Sequence, residues 1–237
     1  MTHAIHYFCG MDNQSGRKII ISEDGSHTMY VPSLDEHYHS TRGAWQESRH
    51  IYIGAGLLAS SEATKTLNIL EVGFGTGLNA LQSILYKPKD LQIHYICCEP
   101  FPLELKEWQQ LNYGTFGEDT EASIDFNMLH ETPWDTQDRI IRPDFILQKH
   151  AVPLEEMNLP EQYFDLVYFD AFGPQAQPEL WTPEIFTDIA KAMRTSARLL
   201  TFSSKGSVKR ALKTAGFRIE KIPGPPGKRE FVRATKL

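Results

Sequence analysis

The 237 residues are 41% hydrophobic, 23% charged and 11% aromatic, a balance that supports a sizeable core and excludes a disordered tail, a collagen or a coiled coil. No apolar run reaches the roughly 18 residues of a membrane span, and the opening MTHAIHYFCG lacks a basic stretch followed by an apolar one, so neither a span nor a secretory signal is expected. The net charge of −6 hides an asymmetry: from Lys191 onward thirteen Lys and Arg face two acids, Glu220 and Glu230. A basic end on an acidic body is the pattern of a polyanion-binding surface, although a solvated helix face with exposed lysines gives the same count.

In chain order, residues 18–21 and 28–31 are β-prone and flank Asp24-Gly25, a hairpin signal. A polar and aromatic segment follows from Asp35 to Ser40, then a stretch over 44–58 with helical potential that Gly54 and Gly56 interrupt. From Thr66 short apolar runs alternate with amphipathic stretches, as in a parallel sheet covered by helices. Strands are predicted over 67–72, 93–98, 145–148, 164–169, 198–202, 217–222 and 230–235, a mostly parallel seven-stranded sheet of an α/β fold. Helices are predicted over 78–85, 103–111, 183–194 and 207–215, with Pro183 suited to a first helical position. The polar stretch 112–143 has no assignment. The cysteines, Cys9, Cys97 and Cys98, are odd in number and two are neighbours. That excludes a disulfide framework or zinc ribbon and fits a reducing cytoplasm; Cys97 and Cys98 are expected to be small buried residues pointing to opposite faces of a strand.

The strongest signal is Leu70-Glu71-Val72-Gly73-Phe74-Gly75-Thr76-Gly77-Leu78-Asn79, a strand running into glycines and then a helix. A dinucleotide fingerprint needs glycine or alanine at its sixth position, where this chain has Leu78; its third glycine comes one place earlier, at Gly77. The spacing G-x-G-x-G behind an acid, Glu71, suits S-adenosylmethionine, which has no pyrophosphate to seat on a helix N-terminus. Glu71, Gly73, Phe74, Gly75, Gly77, Leu78 and Asn79 are therefore candidate cofactor residues, and Glu99, ending the next strand, is placed to accept hydrogen bonds from ribose hydroxyls.

A second signal runs from Tyr163 to Pro174 and on to Pro178-Glu179-Leu180-Trp181. A buried strand delivers Asp170 at its carboxyl end, the edge where open α/β sheets bind ligands. Gly173 and Pro174 turn the chain, and Phe172 and Trp181 are candidates for acceptor binding, the alternative being a loop whose aromatics, Trp181 above all, are core and whose Asp170 caps a helix. His37 and His39 with Glu36 lie too close in sequence, without a fourth partner, to make a convincing metal site, so no metal is expected.

With these residues in view, the chain resembles the methyltransferase domain of the MnmC type, which completes 5-methylaminomethyl-2-thiouridine at the tRNA wobble position. The resemblance rests on Gly73 to Asn79, Glu99 to Leu103, Asp170 to Pro174, Pro178 to Trp181 and Lys228-Arg229-Glu230, all in order. Tyr38, Ser40 and Glu47 resemble the family's substrate-side segment. It implies a Rossmann-like class I fold with a small N-terminal β extension over 1–60 and the methyltransferase domain over 61–237. It also implies transfer of a methyl from S-adenosylmethionine to the exocyclic amine of 5-aminomethyl-2-thiouridine in tRNA. Asp170 would orient the amine first and take its proton second. Tyr38, Ser40, Glu47, Phe172, Pro174, Trp181, Lys205, Lys228 and Arg229 would bind substrate, with Lys209, Arg210 and Lys213 also available for phosphates. The chain departs from the pattern at Gln148-Lys149-His150, where an acid often contacts adenine. The length leaves no room for the relatives' FAD-dependent oxidase domain, so a stand-alone form without FAD is expected. A small-molecule amine methyltransferase, a non-catalytic binder of the cofactor or tRNA, and a nicotinamide oxidoreductase are the rival readings.

Overall fold

The structure, a computed structural model, describes residues 16–62, 64–117 and 119–237; Cys9 lies outside them. Strands β1 (Lys18–Ile21), β2 (His27–Val31) and β3 (Glu36–His37) form a small antiparallel sheet. The Asp-Gly signal marks its first turn, where Asp24 Oδ1 accepts from the Ser22 hydroxyl at 2.8 Å and the Ser26 amide at 3.0 Å.

One helix, α1, spans 44–61: α-wound over Ala44–Ser48, π-wound over Arg49–Leu58 and α-wound again over Ala59–Ser61. The expected break at Gly54 and Gly56 does not occur. The helix runs through them because Gly56 lies against the sheet, where an added Cβ would come within 3.3 Å of Tyr168 and Leu200. Sheet contact outweighs the helix-weakening effect of glycine.

The remaining elements are β4 (Thr66–Val72), α2 (Leu78–Tyr86), β5 (Gln92–Cys98), α3 (Leu105–Trp108), α4 (Tyr113–Phe116), α5 (Ala122–Glu131), β6 (Arg139–Arg142) and β7 (Phe145–His150). After them come β8 (Phe164–Phe169), α6 (Pro183–Ala192), β9 (Met193–Thr201), α7 (Gly206–Thr214), β10 (Phe217–Pro223) and β11 (Glu230–Lys236). The main sheet has eight strands in the order β10-β11-β9-β8-β4-β5-β7-β6, not seven. The additional strand, β6, pairs antiparallel with β7 inside the stretch that had no sequence assignment. That stretch also holds α5, whose apolar residues make no clean stripe: Ile124 is 60% exposed while Phe126 and Leu129 are buried. The Asp125 carboxylate, paired with Arg142, ties α5 to β6.

Strands β4, β5, β7, β8 and β9 run parallel, and their alternate residues feed two cores. Leu67, Ile69, Tyr95, Cys97, Leu166 and Tyr168 pack under α1, α2 and α5; Leu70, Val72, Ile96, Cys98, Val167 and Phe169 pack under α6 and α7. Cys97 and Cys98 therefore do face opposite sides, both buried and free. No helix among the described residues is long and apolar enough to cross a membrane.

Lys149, which departs from the family pattern, is 0% exposed. Its Nζ donates to the carbonyls of Leu129 at 2.8 Å and Thr132 at 2.9 Å, capping the end of α5, and lies 4.1 Å from the Trp134 ring centroid. Burial pushes its pKa down to about 8, which still leaves it charged at neutral pH. Lys149→Met would keep the bulk but strand these carbonyls. The expected cost is about 2–4 kcal/mol in urea unfolding; a loss under about 0.5 kcal/mol would contradict the capping role.

Candidate active site

Register sets the site. Val72 at the end of β4 lies opposite Cys98 of β5 and Phe169 of β8, so the three strands finish together. The Gly73 amide then donates to the Cys98 carbonyl at 3.1 Å, and the Asp170 amide to the Val72 carbonyl at 2.9 Å. Gly73, Glu99 and Asp170 consequently emerge side by side at the edge where the strand order reverses, the usual ligand crevice of open α/β sheets. A cavity of about 780 Å³ opens there, lined by Gly73, Phe74, Gly75, Glu99, Phe101, Leu154, Asp170 and Phe172, with Tyr38, His39 and Glu47 from the N-terminal segment.

The loop between β4 and α2 needs its glycines for space as well as dihedral freedom. Gly73 has φ +89°, and a Cβ there would sit 2.8 Å from the Asp170 carbonyl oxygen; Gly75 has φ +50°, and its Cβ would meet the Tyr38 ring at 2.8 Å. The loop's donors are turned inward. Gly73 and Phe74 amides bind the Cys98 carbonyl, Gly75 binds Glu99 Oε2 at 3.0 Å, and Gly77 binds the Phe74 carbonyl at 2.8 Å. His130, its pKa pushed down to about 3 chiefly by burial, is neutral and donates Nε2–H to the Thr76 carbonyl at 3.1 Å. Four of the loop's amides are thus engaged within the protein, which leaves less of a backbone nest for a pyrophosphate.

Glu99 supplies the matching acceptor. Its Oε1 and Oε2 each take one amide, from Phe101 and Gly75 at 3.0 Å, leaving lone pairs for hydroxyl donors in the cavity. Burial raises its pKa while those amides lower it. Farther along the wall the cavity meets Pro153, Leu154 and Glu155. Glu155 is a further carboxylate on this wall, absent from the sequence candidates because it sits in a short 3₁₀ turn beyond β7 and not at the strand end, where Lys149 is turned away.

Several candidates lie elsewhere than expected. Glu71 and Leu78 are 0% exposed, and both lie outside the cavity lining together with the buried Gly77 and Asn79. Glu71 accepts from Asn79 at 3.0 Å on one oxygen beneath the loop, and burial raises its pKa while Asn79 and Tyr95 oppose that shift. Trp181 is a core residue, 5% exposed, packed on Phe169, Phe186 and Phe202. Its indole donates to the Phe172 carbonyl at 2.9 Å, so it shapes the Phe172 turn from behind and does not face the acceptor. Pro174 is also outside the lining.

Asp170 is half-buried and faces the cavity. Burial raises its pKa; His39 and the donors Tyr52 and Asn79 oppose that shift, and Glu47 adds to it. Burial lowers the pKa of His39, whose Nε2 lies 2.7 Å from the Thr76 hydroxyl, and among the described residues no Lys or Arg pairs with Asp170. Tyr38 meets Phe172 edge-on at 5.0 Å. Glu47 accepts from the Ser40 amide at 2.9 Å and from Lys228 Nζ at 2.5 Å, an ion pair on the cavity lining.

Six of the thirteen C-terminal cations are matched to acids: Lys191, Arg194, Lys209, Lys221, Lys228 and Arg233. Lys205, Arg210, Lys213 and Arg229 are exposed and have no acidic partner among the described residues. Lys205 follows β9 and Arg229 directly precedes β11, both at the same sheet edge as the cavity but outside its lining. Among the described residues no cluster of three or more His, Cys, Asp or Glu could hold a metal.

Glu99→Ala would remove the cavity's paired acceptor and free two loop amides. We expect cofactor affinity, read by calorimetry, to fall by about 30-fold, the loss of roughly 2 kcal/mol from a charge-assisted hydrogen bond. Unchanged affinity would remove Glu99 from the cofactor site.

Residues 140–237 match a family described as S-adenosyl-L-methionine-dependent methyltransferase. The chain is 30% identical over 230 residues to the tRNA 5-methylaminomethyl-2-thiouridine biosynthesis bifunctional protein MnmC of Cupriavidus necator, covering 91% of this chain and 34% of that one. The MnmC of Cupriavidus metallidurans is 31% identical over 229 residues, covering 91% and 33%. The chain thus spans about a third of the length of the curated relatives it matches. The crystal structure of MnmC2 from Aquifex aeolicus superimposes with a TM-score of 0.75 at 26% identity, covering 93% of this chain and 70% of that one. By sequence and by fold, the chain belongs with the S-adenosyl-L-methionine-dependent methyltransferases of the MnmC type.

Proposed function

We propose that the chain methylates the primary amine of 5-aminomethyl-2-thiouridine at the tRNA wobble position. The observation that carries this reading is Asp170: a carboxylate held by neutral donors, with no Lys or Arg paired to it among the described residues, beside the aromatic pair Tyr38 and Phe172 in the cavity that Glu99 also lines. The names of the relatives, which concern tRNA 5-methylaminomethyl-2-thiouridine biosynthesis, support it.

When bound, the cofactor supplies an electrophilic methyl on a sulfonium. The acceptor, an alkylamine with a pKa near 10.4, arrives mostly as ammonium and must lose a proton before its lone pair can react. Asp170 accepts a hydrogen bond from that ammonium and fixes the nitrogen; with its affinity for protons raised by burial, it also receives the proton. Tyr38 and Phe172 keep water away from the nitrogen and present faces on which a loop base can stack. The segment before β4 serves as the acceptor-side extension, and Lys205, Arg210, Lys213 and Arg229 hold backbone phosphates. Lys228 joins them only by releasing Glu47.

Asp170→Asn should keep cofactor affinity within about threefold while methyl transfer to undermodified tRNA falls by 10²–10⁴, roughly the range of a lost general base. Nucleoside mass spectrometry of the tRNA reads this out, and near-normal product would refute the role. Replacing Lys205 and Arg229 together by Ala should reduce the salt slope of tRNA binding by about 2, one per lost phosphate contact. An unaltered slope would place the RNA on another face.

A further inference from the structure

The Asp170 carboxylate is gripped from behind by two side chains. Tyr52 Oη donates to Oδ1 at 2.6 Å, and Asn79 Nδ2 donates to Oδ2 at 2.8 Å. Asn79 is itself fully engaged, accepting from the Ser48 hydroxyl at 2.5 Å and donating to Glu71 at 3.0 Å. Neither Tyr52 nor Asn79 lines the cavity, so both reach a ligand only through Asp170.

Tyr52 comes from the π-wound part of α1, 1% exposed, with its ring 5.2 Å from that of Tyr168. The π-turn, which bonds i to i+5, is rare and concentrates at functional sites. Ser48, Tyr52 and Gly56, four residues apart, share the face toward the sheet: Ser48 bonds Asn79, Tyr52 bonds Asp170, and Gly56 lies against Tyr168 and Leu200. The core packing of Ile51, Ile53 and Leu57 anchors the helix, but the Tyr52 hydroxyl adds nothing to it and spends its hydrogen bond on Asp170.

We propose that Tyr52 is a positioning residue for methyl transfer, its hydroxyl fixing the plane of the Asp170 carboxylate so that the remaining lone pairs meet the acceptor amine. The inference rests on the reading of Asp170 given above. The groups facing Asp170 are His39 beyond β3, Glu47 and Tyr52 from α1 and Asn79 from α2, with Glu71 of β4 behind Asn79 and Lys228 paired to Glu47. Donation from Tyr52 favours the ionised carboxylate, so its loss raises the Asp170 pKa and moves the acidic limb of the rate profile to higher pH.

The test compares wild type, Tyr52→Phe and, as a control that removes another buried hydroxyl of the same core, Tyr168→Phe. For Tyr52→Phe we expect kcat at neutral pH to fall at least about tenfold, KM for cofactor and tRNA to stay within about twofold, and the acidic limb to rise by about one pH unit, the scale of one lost hydrogen bond to a charge. Tyr168→Phe should leave the limb in place. An unmoved limb with kcat within twofold of wild type would overturn the proposal, as would a loss of cofactor affinity and melting temperature that accounts for the whole drop. Titration of the Asp170 carboxyl by carbon NMR in wild type and Tyr52→Phe needs no acceptor. If wild type fails to methylate tRNA, the functional reading falls, while an unchanged Asp170 titration sinks the Tyr52 assignment separately.

Discussion

Three neighbouring parallel strands that stop at the same height impose most of what this molecule can do. At their ends each chain hands its next amide to a neighbour's terminal carbonyl: Gly73 to Cys98, Glu99 to His150, Asp170 to Val72. These bonds leave the first loop no room for a side chain at Gly73, where the Asp170 carbonyl stands 2.8 Å from the position of a Cβ. Together with the bonds of Phe74, Gly75 and Gly77 they commit most of the glycine-loop amides to the protein, so side chains such as Glu99 and Asp170 supply much of the polar surface of the crevice. The cavity follows from strand register before any site residue is chosen.

The carboxylates near that edge are handled in a consistent way. Glu71, Glu99 and Asp170 all have pKa values raised by burial, and each is steadied by neutral donors: an asparagine amide, backbone amides, a tyrosine hydroxyl. A neutral donor orients a carboxylate while leaving more of its basicity than a permanent cation would. The graded exposure then separates them. Glu71, fully buried, serves as a strut beneath the loop, whereas Asp170, half-buried, lines the cavity.

The charge asymmetry of the chain is smaller on the folded surface than in the count. Lys228 is spent on Glu47, Lys209 and Lys221 share Glu230, and Arg233 holds Glu220, so the free cations reduce to a smaller exposed set. The Lys228–Glu47 pair links the turn after β10 to α1 beside the cavity, joining the last part of the chain to the N-terminal segment.

Much of this was written in local sequence. Alternating apolar runs specify strands buried on both faces, G-x-G-x-G specifies the loop, and Asp170 follows a strand whose end is visible in the residues themselves, so the sheet, the crevice and its two chief carboxylates could be placed by pattern. What could not be placed depends on contacts between residues far apart in the chain. Trp181 reads equally as a ligand-facing or a core aromatic until Phe169, Phe186 and Phe202 close around it, and Asn79 reads as a cofactor contact until Ser48, Glu71 and Asp170 take its bonds. Tyr52 carries no local signal, because its partner lies 118 residues later in the chain. Periodicity reports which face of an element is apolar; which polar group meets which is decided only when helix and sheet are brought together, since buried donors and acceptors must then satisfy one another.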